Sequence, residues 1–152
     1  MQTLDIYTDT SVLGGCLDEE FAHPSNLLVD LFVTGARRLF LSRHTLRELE
    51  LAPPAVRQVL ERIPPTHISL IEDTDEAFTL AEQYLARGAV TEKSRSDALH
   101  IALASLTEVD AIVSWNFKHI VNLQRIRIFH AVNVELGYPL VSICTPWEVL
   151  EP

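Results

Sequence analysis

Short apolar runs alternate with longer segments of helical spacing along the whole chain. Runs such as Leu4–Thr8 alternate in polarity and are rich in β-branched and aromatic residues, which predicts strands. Segments in which apolar residues recur every three or four positions predict helices, and Gly35 and Gly88 are suitable helix ends. The predicted strands cover residues 4–8, 38–41, 67–71, 111–114 and 140–143. The predicted helices cover residues 18–35, 42–51, 55–63, 75–87, 94–107 and 131–136.

This alternation of strands and helices predicts an α/β fold. Parallel strands need crossover connections, which helices provide, so the central sheet should be mostly parallel and covered on both faces. No repeat, low-complexity segment or linker interrupts the pattern, which indicates one domain over residues 1–152. In such sheets, ligands bind beyond the carboxyl ends of the strands, near the point where the strand order reverses.

Composition restricts the class of protein further. The chain has 152 residues, of which 47% are hydrophobic and 22% charged, as is typical of soluble globular proteins. Its apolar runs are too short to span a bilayer and its N-terminus does not resemble a signal peptide, so we expect a cytoplasmic protein without a membrane partner. The net charge of −9 argues against nucleic-acid binding through a large basic surface. A nuclease remains compatible with it, because carboxylates that bind cations add negative charge.

Three acidic residues occupy positions where such a site would form. Asp9 follows the first strand, Glu48 follows the second, and Asp97 lies near the start of the helix before the fourth. Each also has an ordinary explanation. Asp9 can be an N-cap and Glu48 can form a capping box with Thr45, while Asp97 can lie in the first turn of a helix capped by Ser94. Independent capping roles do not explain why all three acids occupy positions that a doubly wound sheet can bring to one edge.

Four segments, in this order, resemble the motifs of the PIN-domain family, which includes the VapC-type toxins of bacterial toxin–antitoxin pairs. They are residues 9–13, Glu48 in the helix after the second strand, residues 97–104 and residues 112–117. The match runs from about residue 6 to residue 147. The resemblance implies a three-layer α/β/α PIN-like fold with a mostly parallel central sheet, a negatively charged pocket, Mg²⁺ or Mn²⁺, and hydrolysis of RNA phosphodiester bonds.

The residue types suit this chemistry. Hard divalent ions prefer oxygen ligands, and Mg²⁺ usually takes one or two carboxylates while it keeps several waters. An ion held by Asp9 and Asp97, with Glu48 bound directly or through water, would activate a water and stabilise charge on the scissile phosphate.

Further candidate residues lie close in sequence to the acids. Hydroxyl side chains there can support the ligands or contact phosphate, although turn formation explains them equally well. Basic side chains there can contact phosphate. The hydroxyl candidates are Thr10, Ser11 and Ser114, and the basic candidates are Arg43, Arg47, Lys93, Arg95 and Lys118.

The chain departs from the family pattern at the fourth acid, which the family places after the fourth strand. Asn116 and His119 occupy the two positions where that acid is found. We group Asn116 with the three acids as a catalytic candidate and His119 with the contact residues. Imidazole suits transition metals better than Mg²⁺, so Mg²⁺ should bind weakly at any second position. His100 faces the same side of its helix as Asp97, although a core histidine is the commoner case.

Three functions remain open from the sequence. The four motifs favour a metal-dependent endoribonuclease, the toxin of a toxin–antitoxin pair, with RNA as substrate, an antitoxin protein as partner and a homodimeric state. The missing fourth acid favours a catalytically weakened PIN-like module that binds RNA or a partner protein. A phosphoacceptor or nucleotide-binding α/β domain also carries an aspartate after its first strand. However, the sequence lacks both the acidic pair of a receiver and a phosphate-binding glycine loop.

Overall fold

The computed structural model describes residues 3–151 as helices around a five-stranded sheet. The strands are β1 (Leu4–Thr8), β2 (Arg37–Ser42), β3 (Ile68–Ile71), β4 (Ala111–Val113) and β5 (Ser142–Cys144). The helices are α1 (Thr10–Gly15), α2 (Ala22–Thr34), α3 (Arg43–Glu50), α4 (Pro54–Glu61), α5 (Asp75–Ala86), α6 (Arg95–Thr107) and α7 (Leu123–Leu136). Across residues 3–151, no helix combines the length and apolar character needed to cross a membrane.

The strand order creates a crevice at the carboxyl edge of the sheet. All pairings are parallel and the order is β3-β2-β1-β4-β5. The chain therefore adds β2 and β3 on one side of β1 and then β4 and β5 on the other, so the strand order reverses between β1 and β4. The segments that follow these two strands diverge, and a crevice opens between them. The register pairs Thr8 with Val113, which places Asp9 and Ser114 directly after paired residues at this crevice. The order also differs from the 2-1-3-4-5 order of receiver domains, which disfavours the phosphoacceptor hypothesis.

Strand side chains alternate between two hydrophobic cores. Ile6, Leu39 and Val113 pack with helices α1 to α4 on one face of the sheet. Tyr7 and Ile112 pack with helices α5 to α7 on the other face. Helices therefore cover both faces, and the predicted α/β/α fold with a parallel central sheet is confirmed.

Helix α1 differs from the sequence-based prediction, which left this segment without an element. Its six residues include Gly14 and Gly15, and glycine disfavours helix formation. Two interactions outweigh that cost. The Asp9 side chain caps the helix by accepting a hydrogen bond from the Ser11 backbone N–H at 3.1 Å, and the apolar side of the helix is buried.

Other boundaries also differ, most clearly in α7, α2 and the last strand. Helix α7 begins at Leu123, whereas the prediction began it at residue 131. The prediction missed the first turns because basic residues alternate there with Ile126 and Ile128, which imitates the period of a strand. The Asn122 side chain caps this helix by accepting a hydrogen bond from the backbone N–H three residues later. Helix α2 begins at residue 22 instead of 18, after successive turns that follow α1. The last strand covers Ser142–Cys144 instead of 140–143.

We predict that Gly15→Ala destabilises the fold, whereas Gly14→Ala stabilises it slightly. A Cβ at Gly15 would lie 2.6 Å from Ser25 Oγ and 2.8 Å from Trp115 Nε1, two atoms that hydrogen-bond each other. Such overpacking costs about 1–3 kcal/mol. A Cβ at Gly14 meets no described atom within 4 Å, so alanine only adds helix propensity, about 0.5–1 kcal/mol. Urea unfolding of both variants measures the difference, and equal stabilities would contradict this packing of α1.

Candidate functional site

Asp9 is the most deeply placed acid at the carboxyl edge and is only 5% exposed. Its Oδ1 accepts hydrogen bonds from the Ser11 backbone N–H and hydroxyl, at 3.1 and 2.6 Å, and its Oδ2 accepts one from the Ser114 hydroxyl at 2.7 Å. Burial raises the pKa of Asp9, and these bonds together with the nearby His100 offset only part of that effect. The N-cap explanation of Asp9 is therefore correct for Oδ1, but it does not account for Oδ2, which faces the crevice partner Ser114.

Glu48 reaches from α3 toward the segments that carry the other two acids. Its Oε1 accepts a hydrogen bond from the Thr10 hydroxyl at 2.9 Å and lies 2.7 Å from His100 Nε2. Its Oε2 accepts a hydrogen bond from the Ser96 hydroxyl at 3.0 Å. Both carboxylate oxygens are thus already engaged, by residues next to Asp9 and Asp97 in the chain.

The capping-box explanation of Glu48 is wrong. Helix α3 begins at Arg43 and is capped by Ser42, whose hydroxyl accepts a hydrogen bond from the Thr45 backbone N–H at 3.0 Å. Thr45 therefore lies inside the helix, and the side chain of Glu48 points to other elements. The orientation of the Glu48 side chain is thus set by contacts with α1 and α6 and not by the start of its own helix.

His100 connects Glu48 to the core. Its side chain is 1% exposed, and its Nδ1 lies 2.7 Å from the Tyr7 hydroxyl, which in turn lies 2.8 Å from Ser42 Oγ. Burial alone would lower the pKa of His100 and raise that of Glu48. The interactions of His100 with Tyr7 and Glu48 outweigh burial, so the pKa of His100 rises to about 10 and that of Glu48 falls to about 2. Glu48 is therefore a carboxylate paired with an imidazolium.

Asp97, in the first turn of α6, takes its partners from the segment after β4. Its Oδ1 accepts a hydrogen bond from Asn116 Nδ2 at 3.3 Å, and its Oδ2 lies 3.4 Å from His119 Nδ1. Asn116 Oδ1 accepts the backbone N–H groups of Lys118 and His119 and so shapes this turn. Burial and the charge of Asp9 raise the pKa of Asp97. The two positions where the PIN family carries a fourth acid thus hold a side-chain amide and an imidazole that face Asp97.

Short hydrogen-bonded paths join the acids at one edge. Asp97 binds the Asn116 side chain, and the Asn116 backbone N–H donates to Ser114 Oγ at 2.9 Å. The Ser114 hydroxyl donates to Asp9. Glu48 joins through the neighbours of the other two acids in the chain. The structure therefore places Asp9, Glu48 and Asp97 at one edge, linked through neighbouring residues. Ser94 makes no side-chain capping bond among the described residues that would explain the position of Asp97.

The arginines predicted to contact phosphate are paired with acids. Arg47 and Arg95 are about half exposed, and each interacts with carboxylates that lie outside the three-acid cluster. The pairs are Arg43–Glu72, Arg47–Asp73, Arg95–Glu82 and Arg95–Glu92. Asp73 is only 9% exposed, whereas the three glutamates are exposed. Exposed ion pairs contribute little stability, so a phosphate can compete with the glutamates for Arg43 and Arg95.

Two site residues escaped the sequence analysis. His44 Nε2 lies 2.6 Å from Ser96 Oγ and 4.0 Å from Glu48 Oε2. The spacing of four residues between His44 and Glu48 on one helix face was an available signal. Tyr7 gave no signal, because a buried aromatic residue in a strand is explained by core packing alone.

Comparisons with known proteins agree with the fold. No profile of a known protein family matches the sequence, and no curated protein matches it. Among solved structures, the chain is similar to FitAcB from Neisseria gonorrhoeae, with a TM-score of 0.60 and 14% identity, over 95% of this chain and 99% of that one. It is also similar to VapC20 from Mycobacterium tuberculosis, a toxin that cleaves the sarcin–ricin loop, with a TM-score of 0.57 and 16% identity, over 75% of this chain and 92% of that one.

A third solved structure comes from a different functional class. The tyrosyl-tRNA synthetase from Aeropyrum pernix matches with a TM-score of 0.55 and 12% identity, over 95% of this chain and 52% of the synthetase. At such identities these likenesses show the fold alone. The chain has a PIN-like α/β/α fold, and the roles of its site residues must be argued from their geometry.

The donor set at the crevice fits a hard divalent cation. Asp9 and Asp97 are carboxylates whose pKa values are raised first by burial and then by neighbouring carboxylates, and a cation would relieve both effects. Mg²⁺ and Mn²⁺ prefer such oxygen ligands. Glu48 fits less directly, because His100 already balances its charge and both of its oxygens accept hydrogen bonds.

We predict that Asp97→Asn raises the free energy of unfolding of the metal-free protein at neutral pH. The folded-state pKa of Asp97 is raised, so its ionisation costs stability once the pH exceeds the unfolded value of about 3.9. The neutral amide removes this cost and can still accept the Asn116 hydrogen bond. The gain in free energy of unfolding should disappear below the pKa of Asp97 in the unfolded chain, because the wild-type carboxyl is then protonated in both the folded and the unfolded state.

Asp75→Asn is the matched control. Asp75 occupies the first turn of α5 and is exposed, so the same substitution loses about 0.3–1 kcal/mol of helix-dipole interaction and relieves no burial. Urea unfolding at neutral and acidic pH compares the two variants. If Asp97→Asn is no more stable than Asp75→Asn at neutral pH, ionisation of Asp97 does not lower the free energy of unfolding, which contradicts the prediction.

Proposed function

We propose that this protein is a divalent-metal-dependent endoribonuclease, a hydrolase that cleaves RNA phosphodiester bonds. The observation that carries the proposal is a pair of carboxylates at the carboxyl edge where the strand order reverses, the buried Asp9 and the partly buried Asp97. Neither is neutralised by an arginine or lysine among its hydrogen-bond partners in residues 3–151. The likeness of the fold to VapC20, a toxin that cleaves the sarcin–ricin loop, supports RNA as the substrate.

In this proposal, Asp9 and Asp97 hold one Mg²⁺ or Mn²⁺ ion. The bound ion supplies Lewis-acid stabilisation of the phosphate and lowers the pKa of a water. The two serines, Ser11 and Ser114, fix the orientation of the Asp9 carboxylate by donating to its two oxygens. Asn116 donates to one oxygen of Asp97, Oδ1, and so helps to orient that carboxylate.

Glu48 has a different role from the other two acids. Its pKa of about 2 makes it a poor proton acceptor near neutral pH. Its side chain is about one-third exposed, so it can accept a hydrogen bond from a water while Thr10 and His100 hold it in place. We therefore propose that Glu48 orients a water beside the ion. Of the two modes expected from the sequence, this is contact with the ion through water and not direct ligation.

A second candidate function is a catalytically weakened module that binds RNA or a partner protein. The observation that favours it is the neutral character of Asn116, together with the pairing of Glu48 with His100, because both reduce the negative charge available to a second ion. Such a module would bind RNA without metal-dependent cleavage. The cleavage assay below separates the two functions.

Partner proteins are part of the proposal. We propose that the protein acts in the cytoplasm as a homodimer and pairs with an antitoxin. An apolar groove of about 750 Å³ between α3, α4 and β3 supports a protein partner, since exposed apolar grooves mark interaction surfaces. Light scattering on the purified protein measures the oligomeric state. Co-purification with the product of a small neighbouring reading frame tests the antitoxin.

We predict that Asp97→Asn lowers the rate of RNA cleavage about 100-fold or more, because loss of an ion that stabilises the transition state has effects of this size. The exposed Asp75→Asn variant should stay within about twofold of wild type. Cleavage of a fluorescent RNA hairpin is measured with Mg²⁺, with Mn²⁺ and with EDTA, which should abolish it. Wild-type cleavage that persists in EDTA, or an Asp97→Asn rate close to that of wild type, would rule out the metal-dependent function. Tight RNA binding without any cleavage would favour the binding module.

We predict that wild type cleaves faster with Mn²⁺ than with Mg²⁺ and that His119→Asp narrows this difference by raising the Mg²⁺ rate. His119 Nδ1 lies 3.4 Å from Asp97 Oδ2, and Mn²⁺ accepts nitrogen ligands more readily than Mg²⁺ does. His23→Asp is the matched control, since it makes the same substitution at an exposed histidine on α2. An unchanged ratio of the Mn²⁺ and Mg²⁺ rates in His119→Asp would show that this histidine does not replace the fourth acid.

A further inference from the structure

Two histidines lie next to Glu48. His44 precedes Glu48 by four residues on α3, which places both on one face of that helix. His100 comes from α6 and is buried. His100 Nε2 lies 2.7 Å from Glu48 Oε1, and His44 Nε2 lies 4.0 Å from Glu48 Oε2. One ligand atom from each of the three residues lies within 4.8 Å of the other two.

We propose that His44, Glu48 and His100 form a binding site for a transition-metal ion such as Zn²⁺ or Co²⁺, separate from the carboxylate pair that we assign to Mg²⁺ or Mn²⁺. Two imidazoles and one carboxylate are a donor set that zinc accepts, with a water as fourth ligand. Hard Mg²⁺ prefers oxygen ligands and should not compete well here. The proposal does not depend on nuclease activity.

The surroundings of His100 match those of a metal-ligating histidine. Such residues usually bind the metal through one ring nitrogen while the other nitrogen donates to a fixed acceptor. His100 directs Nε2 toward Glu48 and Nδ1 toward the Tyr7 hydroxyl, at 2.7 Å each, and Ser42 holds that hydroxyl at 2.8 Å. Tyr7 can therefore accept from Nδ1 and donate to Ser42, which leaves Nε2 for the ion. The proton that His100 shares with Glu48 is released to solvent when the ion binds.

The cluster also has a route to solvent. A cavity of about 230 Å³ lies beside it and is lined by residues that include His44, Ser96 and two arginines, Arg47 and Arg95. Both arginines are paired with acids. The side chains of His44 and Glu48 are 18% and 32% exposed, whereas that of His100 is 1% exposed. An ion can thus enter from the side of His44, with His100 as the innermost ligand. Ser96 Oγ, now 2.6 Å from His44 Nε2, must give up that contact and keep its bond to Glu48.

The alternative is a purely structural role, in which His100 and Glu48 form a buried ion pair and His44 is a neighbour. That alternative predicts no metal binding by the cluster. The two roles also differ in their response to His44, which contributes to metal affinity only if it is a ligand.

Cobalt(II) provides the test, because its visible absorption reports nitrogen coordination and does not require activity. Wild type, His44→Asn, Asp97→Asn and the exposed control His23→Asn are titrated with Co²⁺ in excess Mg²⁺, and calorimetry with Zn²⁺ gives the affinities. We expect one Co²⁺ per chain in wild type, His23→Asn and Asp97→Asn. Affinity should be at least about tenfold weaker in His44→Asn.

Two results would overturn the proposal: no Co²⁺ binding by wild type in excess Mg²⁺, or equal affinities for wild type and His44→Asn. Loss of binding in Asp97→Asn with retention in His44→Asn would assign the ion to the carboxylate pair instead, which also overturns it. His44 is partly exposed, so His44→Asn should fold, and far-UV circular dichroism confirms this for every variant. His100→Gln serves as a second ligand variant and should also weaken binding.

Discussion

The burial of the Asp9 carboxylate between the ends of β1 and β4 is the constraint on which the rest of the site depends. A buried carboxylate is costly unless it is hydrogen-bonded or paired with a cation. The reversal of strand order provides the place, since the register of β1 with β4 brings Ser114 to Asp9. Helix α1 starts at the same point and adds the Ser11 N–H. These donors are neutral, and together with the nearby His100 they offset only part of the effect of burial on the pKa of Asp9. A bound cation can therefore stabilise the carboxylate further.

The three acids at this edge lie in different electrostatic environments. Glu48 is balanced by a histidine from α6, which lowers its pKa to about 2, whereas burial raises the pKa values of Asp9 and Asp97. Carboxylates with such different environments are suited to different roles, one to orient a polar group and two to hold a charge. Asn116 fits this division, because its amide donates to Asp97 where another acid would have added repulsion.

Much of the fold follows from local sequence, but the side-chain partners do not. The apolar runs predicted all five strands, and the positions singled out at strand ends and helix starts included Asp9 and Asp97. The capping-box explanation of Glu48 failed because Ser42 starts α3 three residues before Thr45, a choice set by the end of β2 and not by the pattern of the helix. The Tyr7–His100–Glu48 contacts join residues more than 50 positions apart, so no local pattern encodes them. Helix α1 escaped prediction because its stability comes from burial and a cap, not from propensity.

Anomalous scattering from Mn²⁺ in crystals locates the ion without depending on any substrate. We expect a Mn²⁺ peak within about 2.5 Å of one carboxylate oxygen each from Asp9 and Asp97. Glu48 should keep its contact with His100 and reach the ion only through a water. A structure at high Mn²⁺ concentration with no ion between Asp9 and Asp97, and with both side chains in their metal-free hydrogen bonds, would contradict this expectation.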